Sequence, residues 1–103
     1  MAIQQSNIED GRITIKMDTR FNFDVVREFQ DVVNNINKAG DPLHELDVDL
    51  SNTDYIDSSA LGMLVILRKH MGTQGRRIRL TNCSDQVRTV LSSVNFQKIF
   101  ELD

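Results

Sequence analysis

The spacing of apolar residues along this chain switches repeatedly between two and about 3.6, and that switching restricts the fold more than any other feature. In GRITIKM, residues 11–17, Ile13, Ile15 and Met17 alternate with Arg12, Thr14 and Lys16, the period of a half-buried strand. Next, Val25, Val26, Phe29, Val32, Val33 and Ile36 fall on one face of a helix. Asn22 or Asp24 supplies its N-cap, and Lys38 with Gly40 marks its end. Asp41-Pro42 breaks the chain. HELDVDL, residues 44–50, alternates again through Leu46, Val48 and Leu50 and reads as a central strand. A loop over 51–57 leads into a helix over about 58–71, closed by Gly72 and Gly75. RRIRLT, residues 76–81, is a short strand. Val87, Val90, Leu91 and Val94 mark a third helix, capped by Asn82 or Ser84, and residues 98–102 form a last strand. A weaker strand over 2–7 makes a hairpin with 11–17 through a tight turn at Glu9-Asp10-Gly11.

The expected order is β-β-α-β-α-β-α-β. Strands that alternate with helices need crossover connections, which predicts an α/β fold with a mixed, mostly parallel sheet covered by helices. At 103 residues the chain forms one domain, residues 1–103. No further C-terminal helix is expected after the last strand.

The composition narrows the class of function. A formal net charge of −3 argues against a non-specific nucleic-acid surface. The one local basic cluster, Arg76, Arg77 and Arg79, reads as solvated strand charges. Cys83 stands alone, so no intramolecular disulfide forms, and with no signal peptide at the start the expected compartment is the reducing cytoplasm. The longest apolar stretch, Met63 to Leu67, is too short to insert in a membrane.

The tripeptide Asp57-Ser58-Ser59 sits where the 51–57 loop becomes a helix. Ser and Asp are preferred N-cap types, so capping is its simplest role. The position has a second property. It lies beyond the carboxyl end of a strand, where functional groups of α/β sheets gather, and at a helix start that favours an added anion. A phosphate on Ser58 would add roughly −1.5 to −2 charges. The helix end would accommodate it and Asp54 and Asp57 would oppose it, each by about 0.3–1 kcal/mol. Modification at Ser58 is therefore expected to leave the fold intact and to act on whatever docks over this surface. The helix that follows supports docking. Ala60, Leu61, Leu64, Leu67 and Met71 share the core stripe, whereas Met63 and Ile66 point to its flank, either filling gaps or meeting a partner.

The run LDVDLSNTDYIDSSALGMLVILRK resembles the signature of STAS domains, the family of anti-sigma factor antagonists. The shared elements are a buried strand ending in Asp49-Leu50-Ser51, a polar loop, and Ile56 to Gly62 opening an apolar helix. The later RRIRLTNCSDQVRTVLSSVNFQKIFEL resembles the family's second half. The resemblance implies a phospho-switch. Ser58 would be the acceptor of a cognate serine kinase, often the anti-sigma factor itself, and a PP2C-type phosphatase would reverse it. The unphosphorylated form would bind the anti-sigma factor or a similar switch partner through Asp54, Asp57, Ser59, Met63 and Ile66. One segment departs from the pattern: MDTRFNFDVV stands where many members carry Gly-x-Leu-Asp, near the binding face. Some relatives serve in transport or lipid-trafficking complexes, which is the alternative reading.

Catalysis is not expected. A nucleophilic Ser58 needs a positioned base. His44 falls at the far end of its strand, and His70 lies about 18 Å down the same helix. A metal site on Asp54 and Asp57 lacks a third ligand at useful spacing, and no glycine-rich phosphate loop precedes a lysine. No cofactor is expected.

Overall fold

The computed structural model describes residues 3–6, 9–38, 43–73 and 75–102. The Gly40 stop and the Asp41-Pro42 break expected from the sequence lie outside these, as do the side chains of Ile36 and Lys38. The described elements are β1 (Gln4–Gln5), β2 (Arg12–Lys16), β3 (Arg20–Phe21), α1 (Phe23–Lys38), β4 (Glu45–Asp49), β5 (Tyr55–Ile56), α2 (Ser58–Thr73), β6 (Arg77–Thr81), α3 (Asp85–Ser93) and β7 (Glu101–Leu102). A single 3-10 turn, Phe96–Lys98, precedes β7.

The main sheet has the order β1-β2-β4-β6-β7. Only β1 runs antiparallel, against β2; the other pairs are parallel. The expected hairpin forms around Asp10 and Gly11, both at positive φ, 53° and 77°. Gly11 is required there twice over. A left-handed conformation favours glycine, and an added Cβ would collide with the His44 ring.

Period two sorts the side chains of β2, β4 and β6 onto two faces. Ile13, Ile15, Leu46, Val48, Ile78 and Leu80 are buried on one face, in a single core with Phe29 of α1, Leu64 and Leu67 of α2, and Val87 and Leu91 of α3. The opposite face is polar. Register brings Arg12, Glu45 and Arg77 into one row, and Thr14, Asp47, Arg79 and Glu101 into the next. Ion pairs lace these rows: Arg12 to Glu45, Arg77 to Glu101, Arg12 to Asp47 at 3.7 Å and Arg79 to Glu101 at 3.3 Å. Glu45 and Asp47 are nonetheless buried among these flanking side chains. Burial, and next the charge of Glu45, hold the Asp47 carboxyl above its ordinary range, against Arg79 and Arg12, which lower it.

The structure changes three expected element boundaries. Residues 51–57 are not all loop: Tyr55–Ile56 pairs in parallel with Arg20–Phe21 as a separate two-stranded ribbon. The third helix stops at Ser93, and Val94 caps its end with its side chain substantially exposed rather than on the buried stripe. Most of the expected last strand is the 3-10 turn and its exit, because Phe96 and Phe100 turn inward together with ring centroids 5.1 Å apart. Only Glu101 and Leu102 remain to pair with β6.

Candidate functional site

The ribbon β3–β5 carries the candidate site. Phe21 is fully buried and meets Phe29 of α1 at a centroid distance of 5.3 Å, tying the ribbon to the first helix. Thr53 is buried, and its hydroxyl donates to the Asp18 carbonyl at 2.7 Å. Its own carbonyl accepts from the Ser84 hydroxyl at 3.3 Å. The Asp54 and Tyr55 N–H groups donate to the Thr19 carbonyl at 2.9 and 3.3 Å. Upstream, the Asp49 carboxylate accepts from the Ser51 N–H at 2.9 Å and the Asn82 amide at 3.2 Å. Burial raises the Asp49 carboxyl, but these Ser51 and Asn82 bonds and the Lys16 charge outweigh it and hold it below its ordinary range. The loop before α2 is thus held at both ends by segments distant in sequence.

Asp57 is the N-cap of α2, and it does more than cap its own helix. Oδ1 accepts from the Ala60 N–H at 3.0 Å, satisfying the third amide of α2. Oδ2 accepts from the Phe23 N–H at 3.1 Å, the first amide of α1 and 34 residues away in sequence. Asn22, the N-cap of α1, accepts from the Asp24 N–H at 3.1 Å. One carboxylate therefore closes two helix N-termini, each with otherwise unpaired donors and a positive dipole end.

Ser58, the first residue of α2, is exposed, and its hydroxyl makes no hydrogen bond among the described residues. Ser59 is half-buried and Asp54 exposed. Ile66 projects outward at 62% exposure. Of the two roles left open for Met63, the structure shows the gap-filling one, with the side chain in the core at 9% exposure, while Leu61, expected on the core stripe, is only half-buried. The reason is that α2 is wedged against α1 as well as the sheet. Met63 turns into the seam between the helices, where it lines a shallow groove with Val33, Asn34 and Ile66.

The sequence alone did not indicate Phe23 and Tyr55, which stand at 74% and 44% exposure beside this helix start. The Arg20 guanidinium lies 4.5 Å from the Tyr55 ring centroid, a cation–π contact that holds the ring. Arg20 and Phe23 both belong to the segment 18–24 that departs from the resembled pattern. The signal available was the RFNF run itself, with alternate aromatic residues at a helix start. His44 and His70 lie at the other end of β4 and in the last turn of α2, so neither neighbours Ser58. Among the described residues, no group of three His, Cys, Asp or Glu side chains could hold a metal ion, and no helix is long and apolar enough to cross a membrane.

Three helices on a mostly parallel sheet, with an exposed serine opening the second helix, define a single compact α/β domain. The STAS domain profile matches residues 3–103, and the chain belongs to the STAS family. It is 41% identical over 103 residues to a STAS-domain containing protein of Pseudomonas aeruginosa strain UCBPP-PA14, covering 99% of both chains. Its fold superposes on the anti-sigma factor antagonist SpoIIAA in its unphosphorylated form with a TM-score of 0.84, at 16% identity, covering 99% of this chain and 88% of the other. The phosphorylated form of Bacillus SpoIIAA matches with a TM-score of 0.76, at 15% identity over 99% and 91%.

Proposed function

We propose that this chain is an anti-sigma factor antagonist that works as a phospho-switch in the cytoplasm, with Ser58 as the acceptor. The observation that carries the reading is the contrast between two neighbours. Asp57 is fixed by amides of two helices, and Ser58 beside it offers a solvent-exposed hydroxyl engaged in nothing. A kinase can reach that oxygen without unfolding anything, and added charge there changes the surface while the clamp beneath stays in place. The family membership and the likeness to SpoIIAA, known in both forms, support this reading.

In the unphosphorylated state the helix start, with Asp54, Asp57, Ser59 and the exposed Ile66, binds an anti-sigma factor that is also a serine kinase. Phosphate on Ser58 blocks that docking by bulk and like-charge repulsion, and a PP2C-type phosphatase restores it. Phe23 and Tyr55 add two exposed aromatic side chains of the type that dominates binding energy at protein interfaces. The chain itself carries out no catalysis in this scheme.

The test is incubation with a candidate kinase and ATP, with the phosphate located by mass spectrometry. Ser58→Ala should stay folded, take no phosphate and bind the partner constitutively. Ser58→Asp should stay folded and bind at least about tenfold more weakly. Equal binding by Ser58→Asp and the unmodified chain would remove the basis for charge gating. Phosphate-independent recovery with a membrane transport complex would favour the transport reading instead.

A further inference from the structure

A second feature lies at the opposite end of α2 from Ser58, about 20 Å away along the helix axis. Because β7 pairs with Arg79 and Leu80, the first two residues of β6 have no strand on that side among the described residues. The gap is a cavity of about 480 Å³. Arg68 and Lys69 reach it from α2, Arg76 from the turn that follows, and Arg77 from the start of β6. Four cations from three segments thus line one cavity with a single carboxylate, Glu101, in a chain whose formal net charge is −3. The negative end of the α2 dipole accounts for cations on its last turns. It does not account for Arg76 and Arg77, which lie beyond the helix and face the same space.

Arg68 and Arg77 are held in position. Arg68 Nε donates to the Ile99 carbonyl at 2.6 Å, and Arg77 pairs with Glu101 and, at 3.9 Å, with Glu45. A guanidinium carries five donors, so each retains capacity for a further acceptor. Ile78 and Ile99 complete the lining as an apolar wall.

We propose that this cavity binds a phosphate-bearing small molecule with at least two negative charges. Guanidinium forks match phosphate oxygens bidentately, and a nearby ammonium adds a mobile point charge. The volume falls in the range of small-ligand sites, about 300–1,000 Å³, whereas a nucleic-acid duplex needs an extended basic track. The apolar wall suits an organic body attached to the phosphates. The site is independent of the Ser58 switch.

The experiment is a titration of the amide-labelled full chain, followed by NMR, with pyrophosphate and separately with a nucleoside diphosphate. Saturable shifts should appear at Gly72, Arg76, Arg77 and Ile99 and weaken steeply with added salt. Tighter binding of the nucleoside diphosphate assigns a role to the apolar wall; equal binding assigns the site to the phosphates alone. Lys69→Gln with Arg76→Gln should weaken binding at least about tenfold. Arg27→Gln with Arg88→Gln, the same charge change outside the cavity, should not. The single Lys69→Gln variant, on an exposed side chain, keeps the comparison open if the double variant misfolds. No saturation below about 10 mM, equal weakening by the control pair, or binding only to anionic lipid vesicles or to RNA would overturn the proposal.

Discussion

Replacing Asp57 tests how the site is held. Its two carboxylate oxygens accept from Ala60 at 3.0 Å and Phe23 at 3.1 Å. Loss of a side-chain cap costs about 0.5–2 kcal/mol, typically about 1. Asp57→Ala removes both acceptors and should destabilise the domain by about 2 kcal/mol. For a domain of this size that lowers the melting temperature by about 8–16 °C. Asp57→Asn keeps one acceptor oxygen and turns the other position into a donor. It can close one helix and not both, so its loss should fall near half that of the alanine variant. Urea unfolding at neutral pH measures both, and the m-value should stay constant, since neither change alters the surface exposed on unfolding. Hydrogen exchange supplies the local readout, with faster exchange at the Phe23 and Ala60 amides in Asp57→Ala. A surface residue serving only a partner would give a change within about 0.5 kcal/mol. That result, or equal losses for Asn and Ala, would refute the double cap.

Other expectations follow from the same geometry. Ser58→Ala should change stability by less than about 0.5 kcal/mol, because its hydroxyl has no partner to lose; chemical denaturation checks this. Phe21 and Phe23 are two residues apart, yet Phe21→Ala should cost about 3–5 kcal/mol and Phe23→Ala almost nothing, since one ring is in the core and the other in solvent. An added Cβ at Gly62 meets nothing, so Gly62→Ala in mid-helix should stabilise by about 0.5–1 kcal/mol in thermal unfolding. The two sheet aspartates should respond oppositely to pH. Asp47 holds its proton more tightly in the folded state, so its charge lowers stability as pH rises above 3.8; Asp47→Asn should gain on the parent chain over that rise. Asp49 is shifted down, so its contribution is present above 3.8 and fades as pH falls through its lower folded value; Asp49→Asn should lose stability at neutral pH and converge with the parent in acid. Urea titrations across the acid range measure both.

The main elements were legible because each is long enough to show a period. The α1 stripe through Phe29 and Val33, the alternation of β2 and β4, and the cap candidates Asn22 and Ser84 all appear where the residues suggested. The ribbon was not legible, since two-residue strands such as Arg20–Phe21 and Tyr55–Ile56 have no period to detect. Asp57 could be recognised as a cap for α2, but its second bond joins residues 34 apart, and nothing local encodes such a contact. The sequence left open whether Met63 fills a gap or meets a partner, because helical spacing gives the direction of a side chain but not the position of the neighbouring helix. That Arg68 and Lys69 fold back beside Arg76 and Arg77 was not legible either, since these residues come from separate segments.

The charges on the polar face of the sheet also specify which strands lie side by side. The acidic strand β4 sits between the arginine-bearing strands β2 and β6, and the Glu101 strand follows beyond β6. An arrangement that placed β2 against β6 would set arginine beside arginine and leave Glu45 and Asp47 without counter-ions. Like charges directly opposite one another are unfavourable. The apolar face, where Ile, Leu and Val are nearly interchangeable, distinguishes such shuffled sheets poorly. The charged face can therefore act as an address label for neighbouring strands, selecting one ordering among several that would bury the same hydrocarbon.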